Sequence, residues 1–380
     1  MERRHDLDWI RVGAFFLLIL YHIGMFYVPW YWHVKSPQPV EWLQPVMQLT
    51  NPWRLPLLFL VSGAATRFMA DKITAGSLAR QRTWRLLPPL LLAIFIVVPP
   101  QTFYELLESG RHAGSYLDFY ARYLTAPGHW CEAERCLITP TYNHMWFVAY
   151  LFVYTLVLAL LLASSKPLLA RLEGWLDRLG GWRLIVWPIV VIGLLRLTLF
   201  PIFDVTMAFV DDWYNHAVSF GLFLFGFSIA KSEVLREQFI RLRWPALGLA
   251  VVSYVAWASY RWSYPDGGAP APTLLQAAML VVYAADLWCA IVAALGFGAR
   301  HLNRGGPVLT YLTLAVFPFY IVHQTIIVVA GHHLARLRLP QGLEAVILLT
   351  LTFGGCLVTY EIVRRVNWLR PLFGLKPSSR

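Results

Sequence analysis

Apolar residues in this chain gather into long uninterrupted runs, and ten of these runs are of membrane-crossing length. A helix needs about 17–25 predominantly apolar residues to cross a bilayer. The runs lie at Trp9–Trp30, Thr50–Arg67, Leu86–Tyr104, Asn143–Ser164, Trp182–Phe200, Tyr214–Ala230, Trp244–Trp262, Thr273–Phe297, Val308–Gly331 and Gly342–Val363. The second is short and broken by Pro52 and Pro56. The pattern predicts an all-α polytopic membrane protein with about ten transmembrane helices. The first run exceeds the roughly 7–15 apolar residues of a signal-peptide core and no small-residue cleavage site follows it, so a retained anchor is expected.

Composition agrees with the pattern. The chain is 58% hydrophobic and only 14% charged, with a mean hydropathy of +0.54, whereas a soluble domain carries about 25% charged residues. A soluble, nucleic-acid-binding or disordered protein is thereby excluded. The net charge of +11 is a matter of position. With the N-terminus inside, 22 of the 32 lysines and arginines fall in the tails and inside connections, seven fall in the outside connections, and Arg11, Arg54 and Arg196 lie within runs. Lys and Arg favour the cytoplasmic side, so both termini are expected there. No nucleic-acid partner is implied.

No repeat, low-complexity tract or linker divides the chain. One integral-membrane domain over residues 1–370 with a cytoplasmic tail at 371–380 is expected. The one long connection is an outside loop, 101–142. Within it Tyr116, Leu117, Phe119, Tyr120, Tyr123 and Leu124 recur at helical spacing, which predicts an amphipathic helix on the outer membrane surface. Trp30, Tyr31, Trp32 and His33 crowd the same side, as an interfacial aromatic belt or a carbohydrate-stacking platform. Cys131 and Cys136 in this loop suit a disulfide in an oxidising compartment. A two-thiolate metal site is the weaker alternative, since no neighbouring Cys or His pair completes a tetrahedral set, and no metal is expected. Cys289 and Cys356 fall inside runs as packing residues.

Ionisable groups inside spans are costly and commonly functional, and the first span carries two, Arg11 and His22. Eleven residues at about 100° each return to within about 20° of the starting direction, so both share one face about 16 Å apart along the axis. That offset suits a phosphate of coenzyme A on Arg11 and a thioester at His22. A snorkelling anchor and a bundle hydrogen bond are the plainer readings of the two. Arg82 and Arg85, three apart at the inside entrance of the third span, suit phosphate recognition or simple anchoring. Arg196 and Asp286 read as a structural ion pair, because burying either alone is costly. Glu361 reads as a partner of Arg11 or of Arg364 and Arg365.

Arg11-x10-His22 and Arg82-Thr83-Trp84-Arg85 resemble two motifs of the acyltransferase-3 family of membrane O-acyltransferases. Three further segments follow in the family's order: Pro52-Trp53-Arg54-Leu55-Pro56 running on to Ser62-Gly63, His144-Met145-Trp146-Phe147, and Phe317-Pro318-Phe319-Tyr320-Ile321-Val322-His323-Gln324. Trp32-His33-Val34 and the compact build, without an extra hydrolase-like domain, are most similar to the glucan-modifying succinyltransferase branch. The resemblance implies a multi-pass enzyme of the bacterial inner membrane. Such an enzyme moves an acyl group, acetyl or succinyl, from cytoplasmic acyl-CoA to a hydroxyl of an extracytoplasmic carbohydrate such as a periplasmic glucan. Acyl-CoA is then a co-substrate, with no permanently bound cofactor, and the partners are acyl-CoA, the glycan acceptor and the lipid bilayer.

The resemblance places Arg11 and His22 at the catalytic positions and Arg11, Arg82 and Arg85 at the acyl-CoA. Arg54, His144, Trp146 and His323 are expected to bind the acceptor or the acyl group, and His323 also to tune His22. O-acylation needs a base for the hydroxyl proton; histidine has the side-chain pKa nearest neutrality, and His22 is assigned that role, with a covalent acyl-histidine as the competing one. Ser62 reads as a packing residue. A transporter of an anionic solute or lipid-linked sugar using the same arginines is the alternative, but it predicts paired halves with matching broken helices, and no second half echoes span two. A sensor or scaffold would not require the aligned arginine and histidine.

Overall fold

The structure, a computed structural model, describes residues 4–125, 130–132, 135–265 and 267–378. Residues 126–129 and 133–134 of the long loop, and Ser379 and Arg380 of the tail, lie outside the described residues. Fourteen α-helices dominate the described chain, and a short antiparallel hairpin, β1 (Trp130–Glu132) with β2 (Arg135–Leu137), sets Cys131 opposite Cys136. The two are joined as a disulfide. Seven stretches are long and apolar enough to cross a membrane: His5–Tyr27, Ala75–Glu108, Asn143–Ser164, Glu233–Ser263, Thr273–His301, Pro307–Leu337 and Gln341–Arg365. The other three apolar runs form helices of 16 or 17 residues, Arg54–Ala70, Arg183–Thr198 and Trp213–Ile229. The second of the ten predicted runs thus starts late, beyond Pro52.

The elements in chain order are α1 (His5–Tyr27), α2 (Leu43–Thr50), α3 (Arg54–Ala70), α4 (Ala75–Leu92), α5 (Pro99–Glu108), α6 (Tyr116–Thr125) and α7 (Trp146–Ser164). They continue with α8 (Lys166–Leu176), α9 (Arg183–Thr198), α10 (Trp213–Ile229), α11 (Glu233–Ser263), α12 (Thr273–His301), α13 (Pro307–Leu337) and α14 (Gln341–Arg365). They fall into two compact units. One comprises Met1–Ala14, Pro45–Arg80 and Tyr150–Thr310; the other comprises Phe15–Gln44, Gln81–Ala149 and Tyr311–Arg380.

In the first unit, α3 and α10 approach to backbone contact. A Cβ on Gly63 would lie 1.9 Å from the Phe223 carbonyl oxygen, and one on Gly226 would lie 1.9 Å from that of Leu60. Small residues let helices meet at this range, where dispersion and backbone packing replace a hydrophobic drive. The expected Arg196–Asp286 ion pair does not form. The Arg196 guanidinium sits 3.6 Å from the centre of the Tyr283 ring and donates to the Tyr214 hydroxyl at 3.0 Å. Asp286 is buried, and its Oδ2 has no hydrogen-bond partner among the described residues. Aromatic faces attract a guanidinium and so compete with a carboxylate.

In the second unit a core built on Ile19, Ile23, Phe26, Phe319, Ile327 and Leu348 joins α1, α13 and α14. Glu361 accepts from Tyr311, Arg364 and Arg365, the second of its two expected pairings. The predicted third span is not one straight helix. Between α4 and α5 the chain makes a π-helical turn, Ala93–Val97, bracketed by Pro88-Pro89 and Pro99-Pro100. The Val98 N–H reaches back to Ala93 and leaves the Ile94 carbonyl; Pro99 has no N–H for the Phe95 carbonyl; the Gln101 N–H goes to Val98 and leaves that of Val97. Three hydroxyls take their place. Tyr123 donates to Ile94 at 2.7 Å, Tyr120 to Phe95 at 2.8 Å and Thr325 to Val97 at 2.6 Å. The predicted amphipathic helix is therefore present as α6, and two of its tyrosines complete the helix preceding it. Phe119 and Tyr123 form its small core with Leu106 and Trp130.

Candidate active site

Arg11 and His22 fall in one uninterrupted helix, α1. Its last turn has no basic residue of its own, and the following loop supplies one. The Lys35 ammonium donates to the carbonyls of Met25 (2.6 Å), Val28 and Trp30 (2.8 Å), where a cation complements the helix C-terminus. This fastening returns the loop to α1 and brings the Trp32 ring beside that of His22, 6.4 Å between centres and 25° from parallel.

The second neighbour of His22 is His323 on α13. Their rings are nearly parallel, and His22 Nδ1 lies 2.7 Å from His323 Nε2. His323 Nδ1 lies 2.7 Å from the Tyr320 carbonyl oxygen. A carbonyl can only accept, so His323 carries its proton on Nδ1 and offers the lone pair of Nε2 to the Nδ1–H of His22. The chain of bonds assigns the tautomer of His22: proton on Nδ1, lone pair on Nε2. His323 is fully buried.

Around this pair lies a polar network whose donors and acceptors close. Gln101 donates to His144 Nδ1 (3.3 Å) and to Thr325 (2.7 Å), and accepts from Asn143 (3.2 Å) and Gln324 (3.1 Å). His144 Nε2 donates to the Ile321 carbonyl at 3.0 Å, and the Tyr320 hydroxyl donates to the His144 carbonyl. Gln324 gives its second N–H to His33 Nε2 at 2.9 Å. His33 Nδ1 in turn meets Glu105 at 2.5 Å, and Glu105 also accepts from Tyr31 (2.6 Å) and faces Arg111 at 3.7 Å. Burial and the bond to the Glu105 carboxylate push the Tyr31 hydroxyl up to about 12. Buried polar groups are stable when every donor finds an acceptor. Here they lock α5, α13 and the 28–36 loop into one frame about His22 and His323.

The expected site residues separate accordingly. His22, His323 and His144 come together, with both ring nitrogens of His144 committed inside the protein. Trp146 is buried at the start of α7. Arg82 is buried on α4, whereas Arg85 is exposed. Arg54 lies in the first unit, buried, and donates to Asn51 at 3.0 Å. Arg11 also lies there, donating to Asp8 at 3.3 Å and lining a cavity of about 620 Å³ with Arg4, Lys72, Lys231 and Asp71. Sequence reasoning missed Gln101 and Glu105, and gave no role to Gln324, which closes the last of the quoted segments. Gln101 and Glu105, four apart and so on one face of the helix that Pro99-Pro100 begins, were the signal available. Among the described residues no three His, Cys, Asp or Glu side chains are grouped to hold a metal ion.

The family model described as an acyltransferase domain matches residues 4–361. Glucans biosynthesis protein C of Escherichia coli O139:H28 is 23% identical over 382 residues, covering 99% of this chain and 95% of that protein. The proteins of the same name from the O6:K15:H31 and O9:H4 strains match to the same extent. No solved structure matches the chain. A multi-pass helical build, the two basic motifs with their histidine, and a family match over nearly the whole length agree: the chain belongs to the acyltransferase-3 family of membrane acyltransferases.

Proposed function

We propose that the chain transfers an acyl group, acetyl or succinyl, from cytoplasmic acyl-CoA to a hydroxyl of an extracytoplasmic carbohydrate such as a periplasmic glucan, at the bacterial inner membrane and with both termini cytoplasmic. The observation that carries the mechanism is the directed chain from His22 through His323 to the Tyr320 carbonyl. It leaves the lone pair of His22 on Nε2, the state a general base requires.

His22 Nε2 takes the hydroxyl proton as the sugar oxygen attacks the thioester carbonyl. The tetrahedral intermediate then collapses, the C–S bond breaks, and coenzyme A leaves as the thiol with the proton returned by His22. While His22 is doubly protonated, its Nδ1–H remains on His323, which holds the ring in place and spreads the positive charge. A positioned base of this kind contributes about 10²–10⁴-fold. Arg11, in the cavity of about 620 Å³, and Arg82 and Arg85, by motif, hold the donor's phosphates. Trp32, beside His22, offers a face for the acceptor's pyranose ring. His323 and His144 support the reaction from within the frame, and Arg54, in the first unit, holds no assigned step.

Purified protein in phosphatidylcholine nanodiscs, given acetyl- or succinyl-CoA and a glucan, should release free CoA thiol only when acceptor is present, with acyl-glucan detected by mass spectrometry. Thiol release that ignores the glucan, or no acylated sugar with either donor, would overturn the reading.

A further inference from the structure

The cavity that Arg11 lines holds more cationic groups than the family motifs name. Arg4, Arg11, Lys72 and Lys231 line it, against Asp8 and Asp71. Two of the four are committed nearby: Arg4 grips Asp6 with two bonds, 2.9 and 2.7 Å, and Arg11 reaches Asp8. The lysines differ. Lys72 makes no ion pair among the described residues, and Lys231 rests on Asp71. Asp71 has a second cation, Arg67, at 3.3 Å, and Arg67 in turn holds both oxygens of Glu173. If Lys231 left Asp71, the carboxylate would keep Arg67.

We propose that Lys72 and Lys231 bind the phosphates of the donor's nucleotide and that Asp71 is the counter-ion those phosphates displace. The inference rests on the acyl-CoA reading above. The cavity lies within the roughly 300–1,000 Å³ range of small-molecule sites. Its two lysine ammonium groups suit the diphosphate and 3′-phosphate, each on a long flexible stem, and that of Lys231 can swing from carboxylate to phosphate. A lipid phosphate offers the same chemistry, and the test separates the two.

CoA binding is measured by calorimetry on the full chain in phosphatidylcholine nanodiscs. Lys231→Gln and Lys72→Gln should each weaken binding by roughly tenfold, the worth of one charge-assisted bond. Asp71→Asn should tighten it, because the competing carboxylate is gone while Glu173 still holds Arg67. Opposite effects from two members of one ion pair cannot arise from lost structure, which weakens both. Wild type that binds CoA while the lysine variants bind equally well, or an Asp71→Asn that weakens binding, overturns the inference alone. A lysine effect confined to phosphatidylglycerol nanodiscs assigns these cations to lipid headgroups and also overturns it. Wild type that binds no CoA in either nanodisc overturns the donor reading itself, and this inference with it.

Discussion

His323 turns one nitrogen to His22 and the other to the Tyr320 carbonyl, each at 2.7 Å, so the protonation of one ring dictates that of the other. In the proposed mechanism His22 is the base and His323 its orienting partner, neutral and itself oriented by main chain. His22→Gln should lower the turnover number by at least about 10²-fold. His323→Phe keeps a ring but removes the acceptor, and should fall between His22→Gln and wild type. His323→Gln, whose amide oxygen can accept the same proton, should retain more activity than His323→Phe. Turnover at saturating donor checks this order, and a His22→Gln enzyme above about a tenth of wild type excludes general-base catalysis there.

Tyr123 and Tyr120 act on carbonyls released by the π turn, and the Tyr123 bond is the more buried of the two. Tyr123→Phe leaves the Ile94 carbonyl without its donor, at a cost of about 1–3 kcal/mol. Tyr120→Phe loses one bond, whereas Tyr123→Phe also loses both of its bonds to the Thr141 main chain, so Tyr120→Phe should cost less. Thermal midpoints of the two variants in one detergent test the difference.

The contact of α3 with α10 predicts a sharp contrast between two glycines. Gly63→Ala drives a methyl into the Phe223 carbonyl, and neither helix can yield without losing the reciprocal fit at Gly226. Overpacking of this kind costs about 1–3 kcal/mol or more. Gly221, also on α10, has nothing within 4 Å of its would-be Cβ, and Ala there should hold or raise stability by about 0.5–1 kcal/mol through helix propensity. Size-exclusion profiles and heat-inactivation midpoints of the two variants give the comparison.

Lys35 supplies a pH signature. Burial pulls its ammonium down to about 8, below its value in an unfolded chain, so between about 8 and 10.4 the unfolded state binds the extra proton. Stability contributed by this group should therefore rise with pH across that window. Below it, both states are protonated and the contribution is flat. The difference in melting midpoint between wild type and Lys35→Met should shift in favour of wild type from pH 8 to pH 10. A difference that is constant, or that moves the other way, refutes the assignment.

The helices were legible because apolar length is a local property. Each of the ten runs became a helix, and the departures trace to prolines: Pro52 delayed α3, and Pro99-Pro100 turned a third span into α4, a π turn and α5. Where α11 begins was less legible, because Arg236, Arg241 and Arg243 interrupt its apolar pattern while remaining good helix formers. His22 and His323 could be singled out as polar groups in apolar surroundings. Their frame could not, because Gln324 meets His33 across 291 residues of chain and Glu105 meets His33 across 72. Arg196 shows the converse: opposite charge suggested Asp286, whereas Tyr283 offered a face that charge counting does not register.

The tyrosines of α6 make the 101–142 loop something other than an interchangeable attachment. Grafted onto another scaffold, it would carry two hydroxyls with no carbonyls to meet, and the host left behind would hold two carbonyls without donors. A ligand that pulled α6 away would likewise strain the helix bearing Gln101 and Glu105. Loop and polar frame are thus mechanically one part, and any redesign of the loop has to keep Tyr120 and Tyr123 where the π turn meets them.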